Sequence, residues 1–351
     1  MNRAKKQSNK LYMDNYIETK ANIINSLLEK YPENGSSTLA KLAYKENPHI
    51  FKNAEDARGM IRYRRGTSGK QKRKVLKNKK HMKNNHKKFF KSKNPFNLPP
   101  SEAKPSKPFQ LAKGTKRMLL LSDIHFPYQD NEALSIALQY GIDKDVDCVY
   151  LNGDTIDFYQ ISRFVTDPRN PSISHELDMV RSFLDTLAET FPKAKIYYKV
   201  GNHDVRLESF LFNKAPELLE CTEFRLENLL QFGARGITPI SSKQIVKAGN
   251  LFILHGHEFV ASSFSPVNPA RGFYMKAKAN MIGGHHHQTS EHTENNLKGE
   301  PVTCWSTGCL CELTPEYMPI NKWNHGFAYI EFEKDGDFRV YNKRIIKGEL
   351  R

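Results

Sequence analysis

Again and again in this chain an apolar run stops at a short piece rich in acid, histidine or asparagine. The pieces are Asp123-Ile124-His125, Gly153-Asp154-Thr155-Ile156-Asp157, Gly201-Asn202-His203-Asp204, His255-Gly256-His257 and Gly284-His285-His286-His287. Residues 118–121, 146–151, 196–200 and 251–254 are the clearest of the runs, and each reads as a buried strand. A sheet built from such strands carries the polar pieces along one edge. Side chains able to bind metal are then gathered there from distant parts of the chain.

Helical segments lie between the strands. Residues 131–140 and 174–190 have helical periodicity, and 207–230 is mostly helical with a break near Pro216. Further on the pattern turns to paired strands, 244–246 with 251–254 and 327–332 with 338–346, the second pair joined through Lys334-Asp335-Gly336-Asp337. Strand–helix alternation followed by hairpins predicts an α/β fold on a mixed sheet. Residues 10–62 carry three short helices. The first holds Tyr16, Ile17, Ile23, Ile24, Leu27 and Leu28, the second is capped by Ser36-Ser37-Thr38, and the third opens at Asn53.

Charge divides the chain sharply. From Arg62 to Lys93 there are 15 Lys or Arg and no Asp or Glu, which leaves 39 basic against 38 acidic residues elsewhere. The net charge of +16 is therefore local. This run, and the stretch containing Pro95, Pro99, Pro100, Pro105 and Pro108, buries too little apolar surface to fold. The expected organisation is a small helical domain over 1–65, a basic then Pro-rich linker over 66–115, and a large domain over 116–351. A helix-turn-helix is one form the first domain can take, because Arg58 and Arg62 share a helix face. Arg62, Arg64, Arg65, Lys70, Lys72, Arg73 and Lys74 are the candidate contacts to nucleic acid, through phosphate neutralisation.

Five scattered cysteines and a polar start predict free thiols in a reducing cytoplasm, that of a bacterium or a phage-infected host cell. No apolar run approaches the roughly 18 residues of a membrane span, so no membrane association is expected. Cys304, Cys309 and Cys311 lie close in sequence but lack the fourth ligand and paired spacing of a zinc site.

The polar pieces suit phosphoester hydrolysis. Two divalent ions can make a nucleophile from water and neutralise phosphoryl oxygens, provided one carboxylate bridges them and other ligands fix each ion. Asp123 with His125, and His285 with His287, are spaced so that an extended backbone faces both members the same way. Asp154 and Asn202 each follow a glycine at a strand end, and His255 directly ends its strand. In this order the pieces resemble the calcineurin-like metallophosphoesterase family, with its D-x-H, G-D-x-x-D, G-N-H-[DE], H and G-H-x-H pattern, over about residues 116–345.

The resemblance implies a four-layer α-β-β-α sandwich of two mixed sheets with the metal site at the strand ends. It gives Asp123, His125, Asp154 and His287 to one ion and Asp154, Asn202, His255 and His285 to the other. Mn2+ is the first choice of metal, with Fe or Zn also suited to mixed nitrogen and oxygen ligands. His203 is implied as general acid beside a metal-bridging hydroxide, with Asp204 orienting its ring and Asp157 holding a ligand. Arg163, Arg206 and His286 are candidate substrate contacts. Asp157-Phe158-Tyr159 stands where the protein-phosphatase branch has Asp-Arg-Gly, which weakens that reading.

With its N-terminal helices the chain also resembles phosphoesterases of phages and mobile elements. The expected function is a two-metal phosphodiesterase or nuclease brought to nucleic acid by its basic N-terminal half. A phosphomonoesterase or nucleotide phosphatase with an incidental basic tail is the alternative. A non-catalytic DNA-binding protein is the alternative from another class.

Overall fold

The computed structural model describes residues 19–67, 94, 98–103, 105–163, 166–167, 169, 172–259 and 267–351. They fall in two units, Met1–Ala103 and Lys104–Arg351. In the first unit the helices are α1 (Lys20–Lys30), α2 (Ser36–Glu46) and α3 (Ala54–Arg64). Ile23, Ile24, Leu27, Leu39, Ala43, Phe51, Ala57 and Ile61 form their shared core. The Asn53 side chain caps α3 by accepting from Asp56 N, as its position before the helix predicts. The Ser36-Ser37-Thr38 cap is corrected: Gly35 is the N-cap of α2, and no side chain bonds there.

In the second unit the strands are β1 (Phe109–Gln110), β2 (Arg117–Leu121), β3 (Cys148–Asn152), β4 (Lys195–Lys199), β5 (Thr238–Ile240), β6 (Val246–Ala248), β7 (Leu251–Ile253), β8 (Met281–Gly283), β9 (Ser290–Asn295), β10 (Pro301–Ser306), β11 (His325–Phe332), β12 (Phe338–Ile346) and β13 (Glu349–Leu350). The helices are α4 (Asn131–Asp143), α5 (Ile173–Thr190), α6 (Arg206–Lys214), α7 (Leu226–Leu229) and α8 (Pro269–Ala277). One sheet runs β13-β12-β11-β2-β3-β4-β5, parallel from β2 to β5 and antiparallel beyond β2. The other runs β1-β6-β7-β8-β10-β9 and is also mixed.

Period-two alternation explains the layering. Met118, Leu120, Cys148, Tyr150 and Tyr197 face a core shared with Val246, Leu251, Ile253 and Ile282 of the other sheet. Their neighbours Leu119, Leu121, Val149, Leu151 and Tyr198 pack on Ala133, Ala137, Val180, Leu184 and Leu187 of α4 and α5. Phe273 and Tyr274 of α8 cover the outer face of the second sheet through Met281 and Cys304. Helix, sheet, sheet and helix thus stack in four layers. Because β2 and β3 are buried on both faces, they read as unbroken apolar runs.

One sequence reading needs revision. Phe109 and Gln110, placed in the linker by composition, pair with Val246 and Lys247 as an edge strand. The β9–β10 hairpin and α8 lay in sequence that showed no clear periodicity. The 207–230 segment is helical with a break at Pro216, as expected: α6 gives way to short 3-10 turns and then α7. Among the described residues no helix is long and apolar enough to cross a membrane.

Candidate active site

The polar pieces sit just past the carboxyl ends of β2, β3 and β4 in one sheet and β7 and β8 in the other. Open α/β sheets bind ligands at that edge. Backbone bonds lace the turns together: Asp123 N donates to Gly153 O at 3.1 Å, His125 N to Asp154 O at 3.0 Å, and Gly284 N to His255 O at 2.7 Å. The extended i, i+2 geometry expected for the paired ligands is corrected. Asp123, His125, Asp154, His285 and His287 all have positive φ, between 52° and 68°. Each costs about 1–2 kcal/mol for a non-glycine residue, less for Asp and His than for bulkier types. Left-handed residues turn the chain sharply, and that turning aims both members of each pair inward.

Glycine is needed at two of these turns for a different reason. A Cβ on Gly201 would collide with Asp154 Oδ1 and its backbone nitrogen. A Cβ on Gly284 would collide with Ser122 Oγ, the hydroxyl that donates to Asp123 Oδ2 at 2.6 Å. Gly201 lets the ends of the neighbouring strands β3 and β4 close together, and Gly284 lets the two sheets approach.

The imidazoles are fixed by their outer nitrogens. His255 Nδ1 donates to Asn152 O at 2.6 Å, leaving Nε2 3.2 Å from Asp154 Oδ2 and 3.2 Å from Asn202 Oδ1. His125 Nδ1 meets Asp157 Oδ2 at 2.9 Å, and its Nε2 lies 3.3 Å from His287 Nε2. His287 Nε2 is 3.2 Å from Asp123 Oδ1, while its Nδ1 faces Cys311 Sγ at 4.0 Å. Two groupings of donor atoms emerge, Asp123–His125–His287 and Asp154–His255–His285, each within 4.8 Å. His257 stays outside both; its Nδ1 is 3.7 Å from Glu258 Oε2.

His203 sits beside these groups with a different set of partners from the one expected. Its Nδ1 lies 3.2 Å from both the carbonyl and the carboxylate of Asp157, and its Nε2 accepts from Arg206 Nη2 at 3.1 Å. Asp204 does not orient the ring. It is buried and accepts from Gly201 N, Asp154 N, Ile156 N and Tyr198 OH. Asp157 does the orienting instead, because one carboxylate reaches His125, His203 and Arg206 Nη1.

The remaining candidates separate clearly. Arg206 belongs to the site. Arg163 is exposed beyond the Tyr159–Ile161 turn, and His286 packs its ring against Phe273 at 5.4 Å. In the first unit Arg62 and Arg64 are exposed. Arg65 donates to Ser36 Oγ, Pro32 O and Asn34 O, tying α3 to the turn before α2. Lys70, Lys72, Arg73 and Lys74 lie outside the described residues, as do Tyr16 and Ile17.

Several supporting residues escaped the sequence reading. Lys199, fully buried at the end of β4, donates to Ser241 O, Ser242 O and Gln244 O and pairs with Glu258 at 3.0 Å. Glu258 in turn accepts from His255 N and Gly256 N. A lysine inside an apolar strand was the signal available. Trp323 packs against His287 with ring centroids 4.3 Å apart, and two further close groups are Cys309–Cys311–His287 and His125–Asp154–His203.

Charge in the site follows from burial and proximity. Burial alone would raise the Asp123 and Asp154 carboxyls, but facing imidazoles hold both below the usual carboxylate range. Burial lowers His255 and His287, yet the carboxylates overcome it and lift each to about 10. Burial, aided by the His255 charge, takes His285 down to about 3. Burial and repulsion by Asp154 raise Asp204 to about 6. His125 and His255, whose outer nitrogens are tied to oxygen, together with His285, His287, the carboxylates and one amide oxygen, are a donor set that fits divalent cations.

Residues 116–302 match the family described as calcineurin-like phosphoesterase. The chain belongs to that family. It is accordingly a metal-dependent hydrolase of phosphoesters, a family built on two divalent ions, and the clustered acids and histidines suit them. The Gene 54 proteins of Mycobacterium phages L5 and D29 are each 27% identical over 229 residues, covering 62% of this chain and 89% of theirs. Vacuolar protein sorting 29 from Cryptosporidium parvum is 14% identical with a TM-score of 0.36, covering 68% of this chain and 95% of its own.

Proposed function

We propose that this phosphoesterase is a phosphodiesterase acting on nucleic acid. The observation carrying the substrate class is the run of 15 basic residues without an acid between Arg62 and Lys93. A run of that density neutralises several backbone phosphates and favours polyanions over small esters. The first residues of the run, Arg62 and Arg64, lie exposed on α3 of the three-helix unit, so that unit shares the same partner.

In the site, Asp123, His125, Asp154 and His287 would hold one divalent ion, and Asn202, His255 and His285, together with Asp154, would hold the other. Mn2+ is the metal we favour, and when bound the pair supplies an activated water and neutralises phosphoryl charge. Asp157 keeps the His203 ring in place through its carbonyl and carboxylate. Arg206 donates to His203 Nε2 at 3.1 Å, so a phosphate oxygen entering at that edge takes over the guanidinium N–H. His203 Nε2 is then free to carry a proton and pass it to the departing alkoxide.

The test is a Mn2+-loaded panel of single- and double-stranded DNA, RNA, bis-p-nitrophenyl phosphate and p-nitrophenyl phosphate, run with the full chain and with His203→Ala. Cleavage of nucleic acid and of the diester is expected. His203→Ala should abolish it while leaving DNA binding in place. Activity confined to the monoester would overturn the proposal.

A further inference from the structure

Three tyrosines from separate parts of the chain meet beside His203 and Arg206. Tyr128 lies on the turn after β2, Tyr159 on the turn after β3, and Tyr317 on the connection from β10 to β11. Their ring centroids are 6.2 Å (Tyr128–Tyr159), 5.9 Å (Tyr128–Tyr317) and 6.3 Å (Tyr159–Tyr317) apart. Tyr128 N donates to His125 O at 2.6 Å, Tyr159 lies two residues after Asp157, and α6, which opens at Arg206, packs against the Tyr159–Ile161 turn. The cluster therefore borders the edge where a phosphate would meet Arg206.

A packing cluster would bury its rings and satisfy its hydroxyls. Here Tyr317 is 46% exposed. The Tyr128 hydroxyl is buried and has no hydrogen-bond partner among the described residues. The backbone beneath is rigidly held: Glu312 N donates to Tyr128 O at 2.8 Å, Glu176 accepts from Tyr159 N at 3.2 Å, and Tyr159 OH accepts from Asp167 N at 3.2 Å. Tyr128 meets both other rings edge to face, so Tyr317 is the exposed ring of the cluster; an exposed aromatic beside a phosphate site suits a planar ring attached to that phosphate, and stacking of this kind tolerates every base.

We propose that Tyr128, Tyr159 and Tyr317 form a stacking subsite that seats the nucleobase next to the scissile phosphate. This rests on the nucleic-acid reading of the site and names what the enzyme grips beside the phosphate. The basic run supplies charge; the tyrosines supply the contact that separates a nucleotide from other phosphodiesters.

The experiment compares thymidine 5′-(p-nitrophenyl phosphate) with methyl p-nitrophenyl phosphate, which share a leaving group and differ in the ring. The wild-type chain should prefer the nucleoside ester in kcat/KM. Tyr317→Ala should cut that preference about five- to tenfold, mainly through KM, and Tyr317→Phe should keep it. Calorimetry gives an arm independent of turnover: thymidine 5′-monophosphate should bind the metal-loaded protein more tightly than inorganic phosphate, and Tyr317→Ala should narrow the gap. Equal kcat/KM for the two diesters, or a preference unmoved by Tyr317→Ala, overturns the subsite while leaving a phosphodiesterase. A protein that cuts neither diester fails the broader proposal. In that case equal binding of thymidine monophosphate and phosphate would sink the subsite too.

Discussion

Asp157 is the residue on which most of the site converges, since it contacts His125, His203 and Arg206 at once. Asp157→Ala should weaken metal affinity about 10- to 100-fold, as loss of a carboxylate behind a metal-bound histidine does. It should also slow turnover, and titration of the stripped variant with Mn2+ would separate the two effects. Glu176 gives a second prediction. It is buried under Phe158 N and Tyr159 N, and burial with repulsion from Asp157 raises its carboxyl to about 8 from an ordinary 4.5. The folded chain then keeps a proton that the unfolded chain releases. Stability from this group is full below pH 4.5 and is lost as pH rises toward 8, by up to about 1.4 kcal/mol per pH unit. Melting midpoints measured across that range should fall more steeply for the wild type than for Glu176→Gln. Parallel curves would show that Glu176 is ionised throughout.

Single elements show how support for the site is distributed. The end of β4 carries Lys199, whose ammonium ties residues 241–244 to Glu258 and, through Glu258, fixes the His255 turn. Lys199→Met leaves Glu258 buried without its counter-charge and should cost about 3–5 kcal/mol in urea denaturation. A smaller loss would mean that water reaches the carboxylate. These elements also show what could be read in advance. β2, β3 and β4 were readable because both faces are apolar, and the residues after them could be located from that alone. The Asp204 role was misread because chain proximity to His203 says nothing about which backbone amides surround it. The left-handed turns were misread as extended, since spacing i, i+2 is satisfied by either conformation. β9, with Ser290, Glu291, Thr293 and Glu294 on an exposed edge, has too little apolar pattern to announce itself.

Across the whole molecule, the division at Ala103 separates the proposed address from the cutting site. Removing residues 1–103 should leave hydrolysis of bis-p-nitrophenyl phosphate largely intact while weakening DNA binding and flattening its salt dependence. A truncated chain that binds DNA with the same affinity and salt slope would remove the basic half from the account. The units also have separate hydrophobic cores: α1, α2 and α3 close around their own apolar cluster, while the sandwich is built on others. Bodies with independent cores unfold independently, and the smaller buries less surface per residue. A single melting temperature therefore does not describe this chain. Calorimetry should resolve two heat-absorption peaks, with an interval between them in which esters are still cleaved but the helical unit has already come apart.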